Sequence, residues 1–369
     1  MTASPPGHDD NAGPDLAGSG AVGLGIVGLG MAARPHVAAL RDLAGRVAVR
    51  GAFSPSSDRR RDFHDRTGFP VVDRIEALLD DPAVDALLLL TPPATHLDLV
   101  RRAAAAGKHV LLEKPVEVTL ERSQDLVKLM EEAGLTLAVV FQHRFRPVVR
   151  RLRQALARDV IGPMIAASAE IRWWRPPAYY AEPGRGMRAR DGGGVLITQA
   201  IHSLDVFCTL AGPVAEVGGF AVTSPLRAVD TEDIAAGMIR FRNGAIGTID
   251  ATTAAYPGFP ERIAITGTKG TATLTGNSLR IACHDGREEV MEGDGPTGGG
   301  ADPMAFDHGP HRDLIADFAD AIATGRTPDS SGRSALAVHR LIDALIRSAG
   351  SGRIIRLDER SESSTWPHS

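Results

Sequence analysis

The stretch Gly25–His36, GIVGLGMAARPH, limits what this chain can fold into more than any other. A short apolar run (Ala21, Val22, Leu24) precedes it, and Gly28, Gly30 and Ala33 stand in the spacing G-x-G-x-x-A. That spacing suits a strand, a tight turn and a helix. Gly28 permits the turn, Gly30 lets a pyrophosphate come close to the backbone, and Ala33 is small enough for the helix to pack on the strand. The helix start aims N–H groups and the positive end of its dipole at phosphate oxygens. Gly28, Gly30, Met31 and Ala32 are therefore the expected cofactor-binding residues of this turn; a glycine-rich turn without a ligand is the plainer alternative.

The rest of the first third repeats the pattern such a turn requires. Arg46–Phe53, Asp85–Leu90, His109–Leu112 and Leu135–Phe141 read as strands. Helical stretches at Asp58–Thr67, His96–Ala106 and Leu120–Ala133 separate them, as a parallel sheet demands. Asp85–Leu90 is apolar throughout, as a strand covered on both faces must be. After Pro147 the rhythm changes. A basic helix (Val148–Arg158) and a strand (Ile165–Arg172) lead to an irregular segment at 173–194 and an apolar helix, Val195–Leu210. From 214 to 290 short β-branched runs with turn signals, including the hairpin pair Asn243-Gly244, read as a mostly antiparallel sheet. Glu292–Gly300 reads as a loose loop, and His311–Thr324 and Arg333–Ala349 as helices. The expected fold is thus α/β: a doubly wound parallel (Rossmann) sheet over 21–146, then an α/β domain with an open, mostly antiparallel sheet over 147–358. Residues 1–20 and 359–369 are expected to be disordered tails.

Length and composition agree. The 369 residues exceed what one core usually serves. A net charge of -4 points to neither a nucleic-acid nor a membrane partner. Residues 1–20 lack the basic start of a secretory signal, and the two cysteines, Cys208 and Cys283, fit a reducing cytoplasm.

The end of the second strand bears on cofactor choice. An acid there binds the adenine ribose and repels a 2′-phosphate. Here Ser54 stands in that place, and Arg59 follows closely. Hydroxyls and a guanidinium suit a phosphate, so NADP(H) is expected over NAD(H). The alternative is a solvated helix start capped by Ser57 or Asp58.

Three further motifs resemble those of the Gfo/Idh/MocA oxidoreductases: Gly107-Lys108-His109-Val110-Leu111-Leu112-Glu113-Lys114-Pro115, the segment Asp191–Asp205 (DGGGVLITQAIHSLD), and Ile263-Ala264-Ile265-Thr266-Gly267-Thr268-Lys269-Gly270. The resemblance covers nearly the whole chain. It implies oxidation or reduction of a sugar, cyclitol or related alcohol, a Lys114–Pro115 bond that is cis, and an open sheet that often joins subunits, as a homodimer or homotetramer. It makes Lys114 the expected acid/base, with Glu113 orienting it or the nicotinamide ribose. It makes His202 a partner for the reacting hydroxyl. Thr198 stands where the family often has Asp or Asn; four residues before His202, it should face the same site. Thr91, Pro92 and His96 resemble a turn lining the cofactor, although His96 at a helix start could face water. Gln142 is expected at the cofactor, and Arg144 either at substrate or between domains.

The segment Arg172–Arg190 is rich in arginine and aromatic residues, with Arg185 the expected substrate contact. Several guanidinium groups there suggest a substrate bearing a carboxylate or phosphate. A subunit-contact loop is the plainer alternative. His308 and His311 lack the company a metal site needs, and no metal is expected. Two other functions stay open: a hydrolase or epimerase using tightly bound NAD(H), and a non-catalytic nucleotide sensor.

Overall fold

The computed structural model describes residues 20–293 and 307–357. The expected tails apart from Gly20, and all but the first two residues of the loop over 292–300, lie outside the described residues. The first third forms β1 (Val22–Val27), α1 (Ala33–Asp42), β2 (Val47–Phe53), α2 (Ser57–Thr67), α3 (Glu76–Leu79), β3 (Ala86–Leu89), α4 (His96–Ala105), β4 (His109–Leu112), α5 (Leu120–Glu132) and β5 (Leu137–Val139). The five strands pair in parallel in the order β2-β1-β3-β4-β5. Every residue of β3 is buried, which is why its sequence shows no alternation. The strand order reverses at β1, and the crevice beyond the carboxyl ends of β1 and β3 is where such sheets bind ligands.

The chain continues with α6 (Pro147–Ala157), β6 (Met164–Arg172), α7 (Arg188–Asp191), α8 (Val195–Thr198), α9 (Ile201–Ala211), β7 (Val214–Val222), β8 (Ile234–Phe241), β9 (Ile246–Thr252), β10 (Arg262–Gly267), β11 (Gly270–Thr275), β12 (Ser278–Cys283), β13 (Glu288–Met291), α10 (Gly309–Thr324), α11 (Gly332–Ser351) and β14 (Ile355–Arg356). Nine strands form one sheet in the order β13-β12-β11-β10-β6-β9-β8-β7-β14. All its pairs are antiparallel except β6 with β9. In β8 buried and exposed residues alternate, so one face meets the core and the other is open. Asn243-Gly244 makes the β8–β9 turn: Gly244 has φ 87°, and the Asn243 side chain accepts the Ala245 N–H at 3.0 Å.

One apolar core joins a face of the parallel sheet, through α9 and α11, to the inner face of the large sheet. The other face of the parallel sheet is covered by α1 and by α10, whose Leu314, Ile315 and Phe318 sit among Leu24, Ile26 and Leu40. No single described helix is long and apolar enough to cross a membrane.

The continuous helix expected over Val195–Leu210 is broken. The segments on either side of Gln199-Ala200 meet at 46°. The Ala200 N–H donates to Val195 O at 2.8 Å, five residues back, and opens the turn. The Thr198 hydroxyl donates to Gly194 O at 2.6 Å, a contact that bends helices.

Arg144, just beyond β5, binds α9 of the second unit. Its Nε donates to Asp205 Oδ2 at 2.7 Å, and Nη1 donates to Asp329 O at 2.8 Å and Ser334 Oγ at 2.9 Å. Both charged groups are buried. Removing one partner strands the other charge out of water, so Asp205→Ala is expected to destabilise the protein by about 3–5 kcal/mol in chemical denaturation. A loss below about 1 kcal/mol would show that the pair is not holding the two units.

Candidate active site

The turn after β1 has the geometry a dinucleotide needs. Gly28 has φ 101°, and a Cβ there would meet Leu90 C and O at 2.7 Å. Around Gly30 nothing lies within 4 Å of where a Cβ would sit. No side chain caps α1 at Ala32, and Met31 is exposed beside it. Open space before Gly30 and an uncapped helix start together fit a pyrophosphate.

At the end of β2, Ser54 is buried. Arg60, not Arg59, reaches it: Arg60 Nη1 donates to Ser54 O at 2.6 Å and to Pro55 O at 3.2 Å. Arg59 is exposed, and its amide is capped at 3.3 Å by the hydroxyl of Ser56, neither Ser57 nor Asp58. The helix turns Arg59 outward and brings the next arginine back over the strand end.

Glu113 and Lys114 follow β4 at the same carboxyl edge, and the Lys114–Pro115 bond is cis. Lys114 Nζ donates to Thr198 O at 2.9 Å. Thr198 thus meets the lysine through its backbone. Its hydroxyl is turned to Gly194 O and to the Gln199 side chain. Glu113 Oε2 accepts the Lys114 N–H at 2.9 Å, and Oε1 lies 3.1 Å from His36 Nε2. Burial raises the Glu113 pKa, but the His36 hydrogen bond and the nearby Lys114 and His311 charges outweigh it, and the net direction is down.

His202, in the first turn of α9, lies with its ring 4.9 Å from that of His143 and 6.0 Å from Phe141. Burial, then the charges of Lys114 and Arg146, hold His202 well below its ordinary pKa. His143 is lowered by burial and by the Arg146 charge. Both rings are therefore neutral near pH 7, and in each the Nδ1 is buried with no hydrogen-bond partner. Gln142 is buried in the same turn, its Oε1 likewise without a partner.

Three further expected site residues are engaged by partners within the protein. His96 is fully buried and neither faces water nor offers a ring nitrogen to a cofactor: Nε2 lies 2.9 Å from Thr91 O and Nδ1 3.1 Å from Val116 O. It joins the Thr91-Pro92 turn to the loop after Lys114. Arg144 is paired with Asp205 and joins the two units, the second of the two places expected for it. Arg185 is ion-paired with Glu182 and stacks on Tyr179 at 4.5 Å. Its neighbours are matched too: Arg190 binds Glu182, and Arg172 binds Asp250. The local charge is offset by Glu182 within the segment and by Asp250 from β9.

The sequence reading missed His36, His143 and Arg60. His36 ends the glycine motif itself, three residues after Ala33, where a helix turns it back to the strand ends. His143 stands between Gln142 and Arg144, at the end of a strand whose edge binds ligands.

Residues 22–141 match the oxidoreductase family with an NAD-binding Rossmann fold, and residues 149–273 match the GFO/IDH/MocA C-terminal domain. The chain is 28% identical to a 1,5-anhydro-D-fructose reductase of Ensifer adhaerens, over 87% of this chain and 94% of that protein. It is 29% identical to an inositol 2-dehydrogenase of Rhizobium meliloti, over 78% of this chain and 84% of that one. Among solved structures, the WlbA dehydrogenase of Bordetella pertussis, in complex with NADH and UDP-GlcNAcA, superposes with a TM-score of 0.77 at 27% identity, covering 92% of this chain and 99% of that one. With matches over both units, the chain belongs to the Gfo/Idh/MocA family of NAD-binding oxidoreductases.

Proposed function

We propose that this enzyme moves a hydride between a nicotinamide and a CH–OH carbon of a sugar or cyclitol, with Lys114 as the main acid/base. The observation that carries this is Lys114 at the carboxyl edge of the parallel sheet, its Nζ held 2.9 Å from Thr198 O beside the helix of His202. Gly28, Gly30, Met31 and Ala32 would hold the pyrophosphate, and Glu113 and Gln142 would flank the nicotinamide end. A bound nicotinamide supplies or accepts the hydride. In oxidation the substrate hydroxyl gives its proton to Lys114 Nζ as the C–H hydride departs; in reduction Lys114 returns it. Neutral His202 hydrogen-bonds the same oxygen. A neutral polyol is favoured over an acidic substrate, because Arg185 and Arg190 are already paired with Glu182. The names of the inositol and anhydrofructose relatives agree with that choice. Lys114→Ala is expected to lower kcat by about 10²–10⁴ on any polyol found by screening, with cofactor affinity kept within a few-fold. Turnover near wild type would make Lys114 structural.

NADP(H) is the favoured cofactor. No carboxylate stands at the end of β2, where Ser54 does, and the Arg60 guanidinium lies against the Ser54 backbone. Fluorescence titration is expected to give tighter binding of NADPH than of NADH, and Ser54→Asp to reverse the order by charge repulsion. A clear NADH preference in the wild type sinks the assignment.

The open face of the large sheet carries exposed Phe220, Met238 and Ile246, which favours a homodimer or homotetramer through that face. The free cysteines Cys208 and Cys283 suit a reducing compartment such as the cytoplasm. Light scattering is expected to give a dimer or tetramer, and Met238→Asp with Ile246→Asp to shift it toward monomer; a monomeric wild type overturns this.

A further inference from the structure

Lys114 has a long, flexible side chain, and the backbone beneath it has left the sheet: β4 ends at Leu112. The Glu113 N–H still donates to Leu89 O of β3 at 2.9 Å, but something other than strand pairing must hold residues 114–116. The Lys114 amide is held by Glu113 Oε2 at 2.9 Å. Two residues on, Val116 is fully buried, and both polar groups of its backbone meet histidines. Its N–H donates to His339 Nε2 at 3.0 Å, and its carbonyl lies 3.1 Å from His96 Nδ1. His96 starts α4 beside the parallel sheet. His339 lies on α11, which packs against the large sheet.

The tautomer of His339 is fixed by its own helix. Nδ1 donates to Ala335 O at 2.9 Å, one turn back, which leaves the lone pair on Nε2 facing the Val116 N–H. Burial pushes the ring down to about 4, so that lone pair persists at neutral pH. No other acceptor of the Val116 N–H is recorded among the described residues. Without His339 this amide would be buried and unpaired, a state that proteins avoid.

We infer that His339 is a positioning residue for Lys114: from the second unit it grips the Val116 amide and so sets the height of the lysine over the cofactor edge. This rests on the acid/base assignment of Lys114. Its weight comes from the tolerance of proton transfer to misplacement, which is a fraction of an ångström.

Two variants separate positioning from packing. His339→Asn keeps a polar group within reach of Ala335 O but is too short for Val116. His339→Gln returns an acceptor to the place of Nε2. Hydrogen exchange of peptides spanning 113–118 is expected to speed up about tenfold in His339→Asn, with helices elsewhere unchanged, and to return to wild type in His339→Gln. The rate at which acetic anhydride labels Lys114 at pH 8, read by peptide mass spectrometry, is expected to change about threefold or more in His339→Asn and to recover in His339→Gln. Wild-type exchange and labelling in His339→Asn, a uniform rise in exchange across the protein, or failure of His339→Gln to restore both would each overturn the inference. Neither measurement needs a substrate. An active Lys114→Ala enzyme would therefore remove the acid/base assignment while leaving these two results to stand or fall alone.

Discussion

Two charges taken out of water tolerate few arrangements, and Arg144 with Asp205 is the pair on which the site depends. Arg144 leaves the edge strand of the parallel sheet, where cofactors bind, and Asp205 lies three residues after His202 on α9. A bidentate contact with a buried carboxylate fixes direction as well as distance. It therefore sets how far the imidazole stands from the strand ends. Glu232 does comparable work at the other side of the helix break. Its carboxylate accepts the Gly194 and Leu196 N–H groups at 3.1 and 3.2 Å. A Cβ at Gly194 would come within 1.8 Å of Glu232 O, so the end of the glycine triplet is a place where two backbones must touch.

Much of this was legible in the sequence, for reasons that are local. The wholly apolar β3, the Gly28 turn and Asn243-Gly244 each state their geometry within a few residues. The place of Lys114 was legible because it follows a buried strand at the carboxyl edge, and its expected role came from the motif's resemblance to the family. Thr198 meets Lys114 as backbone, its hydroxyl being bonded to Gly194 O, which the sequence did not announce. Helical periodicity presumes an unbroken helix, and the break is made by Thr198 and Ala200 themselves. His339 and Arg144 act across the two units, and nothing within ten residues of either announces its partner.

The arginine-rich segment shows the same limit only in part, since Glu182 stands within it and Asp250 does not. Read alone, five guanidinium groups look like an anion site. Folded, Arg172 meets Asp250 and Arg185 meets Glu182. Arg175 lies over Trp173 at 5.3 Å, and Arg227, from a later loop, over Tyr180 at 4.6 Å. The planar cations fill gaps between aromatic rings as packing elements. What the segment offers a ligand is a firm, stacked wall more than a surplus of charge.

The seating of α10 against α1 has a consequence for how the protein is made. One face of the parallel sheet is closed by Leu314, Ile315 and Phe318, residues synthesised after every strand of the large sheet except β14. The central strand β6 likewise waits for β9 and β10 before it has either neighbour. A nascent chain that has finished β5 therefore still exposes apolar surface around Leu24, Ile26 and Leu40 until residue 318 has left the ribosome. Sequence-distant closures of this kind slow folding and prolong the time in which sticky intermediates can associate. The architecture that locks the two units together thus also makes the nucleotide-binding half dependent, during biosynthesis, on a helix that appears late, after nearly all of the large sheet.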